Sequence, residues 1–237
     1  MTAPAVVLFP GLGADAELFK KQSAHFGSAL VVPRFLDPKP DETLEDFAIR
    51  TAEALVSEYG ADTLARSVIG GFSFGGMLAQ EIARRIRVSA VALLAGLRSH
   101  EAVTPGFRAQ VQALRVLPDP VVRAGLLNVG VRFVAGKDRL AEDDTESLRA
   151  MARRVDLGFF RWSSRAASQW TGQPLADSLE IPVRHLHGRR DPIIPVPAMH
   201  EPYVEWLEDG GHLIVYTHEA QVNAWLEQLM RSLRTQR

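Results

Sequence analysis

A serine, an aspartate and a histidine, each placed where an apolar run ends, are the residues of this chain best suited to chemistry. Ser73 lies in Gly71-Phe72-Ser73-Phe74-Gly75, after the apolar run Ser67–Gly70 and before a helical pattern that continues to about Ile86. A strand turning sharply into a helix strains the serine backbone and projects its hydroxyl from the strand end. Glycines two residues to either side remove side chains that would collide with the neighbouring strand and helix. The helix N-terminus then faces the site, where its dipole favours developing negative charge. The bare Gly-x-Ser-x-Gly pattern also suits a plain glycine-rich turn. The strand before it and the helix after it favour a nucleophile.

A serine hydroxyl needs a base to take its proton and an acid to orient that base. Asp191 follows the run Val183–Leu186, in His187-Gly188-Arg189-Arg190-Asp191, and His212 follows Val204–Leu207 behind Gly210-Gly211. The order Ser, Asp, His along the chain suits a serine carried on a strand-to-helix turn. The chain has seven histidines. His25 falls in the first helix, His185 inside a strand pattern, and His187 at a strand end whose loop it shapes. His200 follows a proline-rich loop and His218 precedes the last helix. His100, after the fourth strand, is expected to line the pocket. His212 alone follows the last strand on a glycine-rich loop that brings it across to the serine. Asp209 is a rival acid but would need a tight return, and Glu101 is the first carboxylate after the fourth strand, so Asp191 is the expected acid. Two backbone N–H donors must face the developing oxyanion. Phe74 supplies one, and Leu12 in Pro10-Gly11-Leu12-Gly13 the other, with Gly11 beside it. Gly11-x-Gly13 fits a dinucleotide fingerprint poorly, because Ala16 stands where the third glycine belongs.

Positioning these residues takes a sheet. The runs Ala5–Phe9, Leu30–Pro33, Ser67–Gly70, Ala90–Leu94, Val183–Leu186 and Val204–Leu207 are rich in Val, Leu and Ile without strict alternation, as strands buried on both faces are. Helical patterns separate them. Thr43 is placed to cap a helix whose apolar face is Leu44, Phe47, Ala48, Thr51 and Leu55. Val222, Trp225, Leu226, Leu229, Met230 and Leu233 stripe a final amphipathic helix. Alternation of strand and helix implies an α/β fold with a parallel sheet covered on both faces. From about 98 to 177 the rhythm breaks into helical patterns interrupted by Pro105, Pro118 and Pro120. That stretch is too long for a loop, so it is expected to be a helical cap inserted after the fourth strand, with 1–97 and 178–237 forming the core. Phe107, Phe133, Phe159, Phe160, Trp162 and Trp170 are candidates for the substrate pocket there, Phe133, Phe160 and Trp162 foremost, although each also suits packing within the cap.

The 237 residues bound the size to one domain with a proper core, and the formal net charge of −1 gives no sign of a nucleic-acid partner. With no cysteine, disulfides, thiolate metal sites and a cysteine nucleophile are excluded. The start, MTAPAVVLFPGLG, lacks the basic stretch and long apolar run of a secretion signal. No apolar stretch reaches the roughly twenty residues of a membrane span. A cytoplasmic protein is expected. Between Arg98 and Trp170, twelve Lys and Arg face eight Asp and Glu. That excess admits an acidic partner at the cap, or simply a charged, solvated helix face.

Four ordered elements together resemble the α/β-hydrolase superfamily: Pro10-Gly11-Leu12-Gly13, Gly71-Phe72-Ser73-Phe74-Gly75-Gly76, His187-Gly188-Arg189-Arg190-Asp191-x-Ile193-Ile194-Pro195, and Gly211-His212. Within it the chain is similar to small bacterial carboxylesterases. The resemblance implies the fold of that superfamily, trimmed to six parallel strands in the order 2-1-3-4-5-6, with Ser73 as nucleophile, Asp191 as acid and His212 as base. Two features depart from the family: Pro10-Gly11 replaces the usual His-Gly at the oxyanion loop, and the usual leading hairpin is missing. The implied activity is cleavage of a small-molecule carboxylic ester through an acyl-enzyme, with no metal or organic cofactor. Thioesters, lactones, carbon–carbon hydrolysis, perhydrolysis or a lyase reaction would use the same three residues, and a slow-turnover binding or sensory protein would keep them.

Overall fold

The structure is a computed structural model that describes residues 4–175, 181–194 and 203–235. Six strands form one sheet: β1 (Val6–Phe9), β2 (Leu30–Val31), β3 (Val68–Phe72), β4 (Ala90–Leu94), β5 (Val183–Gly188) and β6 (Glu205–Leu207). Their spatial order is β2-β1-β3-β4-β5-β6, and every pairing is parallel. Strand number, order and direction are those the sequence implied.

The period of two along a strand divides the core. Val7, Phe9, Ile69, Val91 and Leu93 face one layer of helices, α2 (Leu44–Tyr59), α4 (Phe74–Ala83) and α9 (Leu157–Gln169). Val6, Leu8, Val68, Ala90, Ala92 and Leu94 face the other, α1 (Lys20–Phe26), α10 (Ile214–Thr217) and α11 (Glu219–Thr235). Thr43 caps α2 by accepting from the Asp46 N–H at 3.1 Å. The stripe Val222, Trp225, Leu226 and Leu229 of α11 is buried. A short helix, α3 (Ala61–Leu64), leads into β3.

Two boundaries differ from expectation. Strand β2 stops at Val31, two residues short of Pro33, which lacks an N–H to extend the ladder. Helix α4 ends at Ala83 rather than Ile86, because Arg85 bonds back to the carbonyl of Ile82 in a tighter turn.

Between β4 and β5 the described chain carries helices and no strand: α5 (Pro105–Leu114), α6 (Asp119–Gly125), α7 (Val131–Asp138), α8 (Glu142–Arg154) and α9, with a π-helical turn at Leu126–Gly130 joining α6 to α7. Thr104 and Asp156 cap α5 and α9. These helices are not detached from the core. Trp162, Ala166 and Trp170 of α9 and its end lie in the cluster under α2 and α4. The indole N–H of Trp170 donates to Glu81 Oε1 at 2.9 Å. Helix α8 is tied to α1 through Asp144, 2.8 Å from Lys21 Nζ and 3.3 Å from Lys20 Nζ. The expected boundary near 177, His200 and Pro195 lie outside the described residues. Among the described residues, no helix is long and apolar enough to cross a membrane.

Candidate active site

Strand β3 delivers Ser73 to the first turn of α4. Its backbone sits at φ 53° and ψ −117°, a region costly for any side chain by roughly 1–3 kcal/mol. The surroundings fix it there. The Ser73 N–H donates to the carbonyl of Leu94 at 3.0 Å, and its carbonyl accepts from the Gly76 N–H at 2.9 Å. The flanking glycines are required by close approach. A Cβ on Gly71 would fall on the Gly75 backbone, and one on Gly75 would fall on the carbonyl of Phe9 in β1. The expected collision is thus real on both sides.

The loop after β1 lies against this turn. A Cβ on Gly11 would stand 2.9 Å from the Phe72 ring and 3.4 Å from Ser73 Cβ. Leu12 and Phe74 both border the cavity that Ser73 opens into. The Phe74 N–H belongs to the first turn of α4, where N–H groups have no acceptor within the helix.

Asp191 follows β5 and is almost wholly enclosed. Its Oδ1 accepts from the N–H groups of Ile193 and Ile194 at 2.8 and 2.9 Å. Its Oδ2 lies 2.7 Å from His212 Nδ1 and 3.1 Å from His187 Nε2. Burial alone would raise its pKa, but the His212 and His187 partners more than offset that and hold the carboxyl well below the usual carboxylate range. His212 Nδ1 faces a carboxylate and therefore carries a proton, which leaves Nε2 of the neutral ring as the basic atom. The imidazole is held on its face by Phe72, ring centroids 4.7 Å apart.

Two cavities meet at Ser73. One of about 90 Å³ is walled by Leu12, Phe74, Met77, Leu97, Ala102, Val103, Thr104, Phe107, Ala167, Ile193 and Ile194. The other, of about 240 Å³, is bordered by Ser73 and His212 together, with Gly11, Leu12 and Ile193 between them and Leu126, Val131, Val134, Leu148 and Met151 on the helical side. Ser73, Leu12 and Ile193 are shared by both. The arrangement suits attack on a carbonyl placed at the junction, with one substituent in each cavity.

The structure does not bring His100, Phe133, Phe160 or Trp162 to either cavity. His100 turns its Nδ1 to the Gly172 carbonyl at 3.2 Å. Phe133 is on the outer side of α7, 45% exposed. Phe160 packs with Val122 and Leu157 beneath Leu12. Trp162 donates to the Glu42 carbonyl at 2.9 Å and packs on Phe47. Of the aromatic candidates in the helical segment, Phe107 does border the smaller cavity, and the other helical walls include Val131 and Val134, whose spacing does not mark them out from core residues. The rival acid Asp209 is exposed and pairs with His218 at 3.0 Å.

Sequence reading also missed two neighbours of Asp191 and His212. His187, assigned to loop shaping, reaches Asp191. Its Nε2 faces two acceptors, Asp191 Oδ2 and the Ile194 carbonyl at 3.0 Å, so it bears the hydrogen, and Nδ1 accepts from His185 Nε2 at 3.0 Å. The four-residue spacing of His187 and Asp191 was the available signal. Asp138, at the end of α7, accepts from the Leu213 N–H. No local pattern announces that contact across 75 residues.

No curated protein matches the chain in sequence. Among solved structures it is similar to a thermophilic esterase from Thermogutta terrifontis, at 20% identity and a TM-score of 0.71, covering 98% of this chain and 91% of that one. It is similar to MenH from S. aureus at 13% identity and a TM-score of 0.75, covering 99% and 96%. It is also similar to the epoxide hydrolase of Bacillus megaterium at 14% identity and a TM-score of 0.69, covering 96% and 93%. At these identities the likeness is one of fold. A family model described as the alpha/beta hydrolase family matches residues 6–225, and the chain therefore belongs to the alpha/beta hydrolase family.

Proposed function

We propose that this protein is a serine hydrolase that cleaves carboxylic esters through an acyl-enzyme. The observation that carries the reading is that Ser73 and His212 border one cavity while His212 Nδ1 lies 2.7 Å from Asp191 Oδ2. On this reading Ser73 Oγ attacks the ester carbonyl as His212 Nε2 takes its proton. Asp191 keeps the proton on Nδ1 and stabilises the imidazolium. The N–H groups of Leu12 and Phe74 hold the tetrahedral oxyanion. His212 then protonates the departing alkoxide, and water repeats the sequence to release the acid. The helices between β4 and β5 serve as the cap, since α5 and α9 wall the smaller cavity and α7 and α8 the larger.

The test is labelling by a fluorophosphonate alongside turnover of p-nitrophenyl butyrate. Wild-type protein is expected to be labelled once per chain and to hydrolyse the ester, and Ser73→Ala to do neither. Labelling or turnover that survives in Ser73→Ala overturns the assignment.

A further inference from the structure

Helix α7 presents one inward face that touches two parts of the site. Val131 and Val134 on that face border the larger cavity beside Ser73. One turn beyond Val134, Asp138 reaches the loop that carries His212. Its Oδ2 accepts from the Leu213 N–H, and its Oδ1 is buried with no hydrogen-bond partner. The fit on the other side is equally close. A Cβ added at Gly211 would fall on the Asp138 carboxyl group, whose atoms are its three nearest neighbours. Gly211 does not have a positive φ, so the carboxyl group, rather than backbone conformation, is what excludes a side chain there. Burial raises the Asp138 pKa, partly offset by the N–H groups of Leu213 and His212 and by the His212 charge, whereas Asp191 raises it further. His212 and Asp191 are the charged groups facing it; Lys137 and Arg139 beside it on the chain are exposed.

We propose that Asp138 is a positioning residue that ties α7 to the His212 loop, so that the base is aligned only when the cavity-lining helix is seated. The proposal rests on the reading of His212 as the base. Asp191 fixes the imidazole ring from the sheet side, and Asp138 fixes the backbone beneath it from the helical side. Because Val131 and Val134 line the chamber and Asp138 holds the loop, a ligand that packs against α7 also steadies the base. A residue in this role touches no substrate. Its loss moves the base by a fraction of an ångström, which lowers the rate more than the binding.

The experiment compares Asp138→Ala, Asp138→Asn and Gly211→Ala on p-nitrophenyl butyrate, with thermal melts to establish folding. Asp138→Ala is expected to lower kcat by about 10- to 100-fold with KM nearly unchanged. Asp138→Asn keeps an oxygen for the Leu213 N–H and should recover most of kcat. In both variants the acid limb of the kcat/KM profile should move to lower pH, because removing an anion near His212 disfavours the imidazolium. Gly211→Ala should reproduce the kcat loss in the wild-type background and add none to Asp138→Ala, whose vacated space accommodates the new methyl. If Asp138→Ala does not fold, the pH limb of Asp138→Asn and the kcat of Gly211→Ala decide. Wild-type kcat and an unmoved limb in folded variants overturn the proposal. Ser73→Ala and His212→Ala separate the two levels: if they stay active, the reading of the site has failed; if they are dead while the Asp138 and Gly211 variants behave as wild type, only this proposal has.

Discussion

His187 Nε2 lies 3.1 Å from Asp191 Oδ2, the same oxygen that His212 Nδ1 approaches at 2.7 Å. One carboxylate oxygen thus serves two imidazoles, His187 wholly buried and His212 on the cavity wall. The charge on Asp191 is shared, and each donor receives less of it than it would alone. Replacing His187 with Leu removes one claimant. His212 should then feel more of the charge, its imidazolium should be stabilised, and the acid limb of kcat/KM should move to higher pH. The looser carboxylate should also lower kcat, by about 10-fold. His187→Gln keeps an N–H near the position of Nε2 and should stay close to wild type. A pH–rate profile of the three proteins checks this, and an unmoved limb in a folded His187→Leu variant counts against it.

The depressed pKa of Asp191 carries a consequence for stability. Its folded-state value lies below the ordinary one, so its contribution is complete above the unfolded value of about 3.9 and is lost as pH falls toward the folded value. Wild type should therefore lose stability on acidification below about pH 4 more steeply than Asp191→Asn, which has no such proton to gain. Urea midpoints at pH 6, 4 and 3 measure the difference. Parallel slopes for the two proteins would show that the ion pair contributes nothing to folding.

The strained turn makes an opposite kind of prediction. Ser73 has φ 53° and ψ −117°, which a glycine adopts without cost. Ser73→Gly should be inactive yet more stable than Ser73→Ala by about 1–2 kcal/mol, since alanine keeps the strain. In a domain of this size that is a rise of about 2–8 °C in Tm. Equal melting temperatures for the two variants would mean that no strain is stored at the turn.

What the sequence disclosed about this site follows from how local the signals are. Ser73 was legible because a strand, a glycine-bounded turn and a helix are consecutive in the chain and each leaves its own pattern. Asp191 and His212 were legible because a parallel sheet puts the ends of successive strands side by side, so rank along the chain becomes position in space. The six strands were legible as apolar runs, and their order was implied by the resemblance to the family. Of the helical cavity walls, only Phe107 was among the residues the sequence offered. Large aromatic side chains such as Trp162 and Phe160 were attractive candidates, yet their size drives them into the interior, where the Trp162 N–H finds the Glu42 carbonyl. Asp138 was invisible for another reason. Its contact with the His212 loop joins elements 75 residues apart, set by how the helices between β4 and β5 pack rather than by any period or motif.

Glycines in this chain divide sharply by surroundings. Gly75 of α4 faces the Phe9 carbonyl of β1, so a methyl there meets backbone that cannot turn aside, whereas Gly136 of α7 has nothing within 4 Å of an added Cβ. Gly75→Ala should destabilise by about 3 kcal/mol or more or prevent folding, as overpacking against backbone does. Gly136→Ala should stabilise by about 0.5–1 kcal/mol, the helix preference of alanine over glycine. Thermal melts of the pair test whether the approach of α4 to β1 is as close as the geometry gives. A folded, unperturbed Gly75→Ala protein would refute it.

Among the described residues, neither cavity beside Ser73 is lined by a Lys, Arg, Asp or Glu side chain, and His212 is the one histidine on their walls. A substrate carboxylate placed in either would be desolvated without a cation to meet it, at a cost of several kcal/mol. None of the Lys and Arg side chains of the described helical segment lines either cavity, and five of the arginines are held in ion pairs. Arg149 and Arg153 pair with Glu146, Arg154 with Asp15, Arg161 with Asp119 and Arg165 with Asp41. The p-nitrophenyl ester of butyric acid should accordingly exceed the mono-p-nitrophenyl ester of succinic acid in kcat/KM by about 100-fold or more, since every 1.4 kcal/mol is tenfold. The two acyl groups are similar in length and differ in the terminal charge. Comparable rates on both would mean that a cation reaches the bound acyl group, and would return the basic residues of the helical segment to the site.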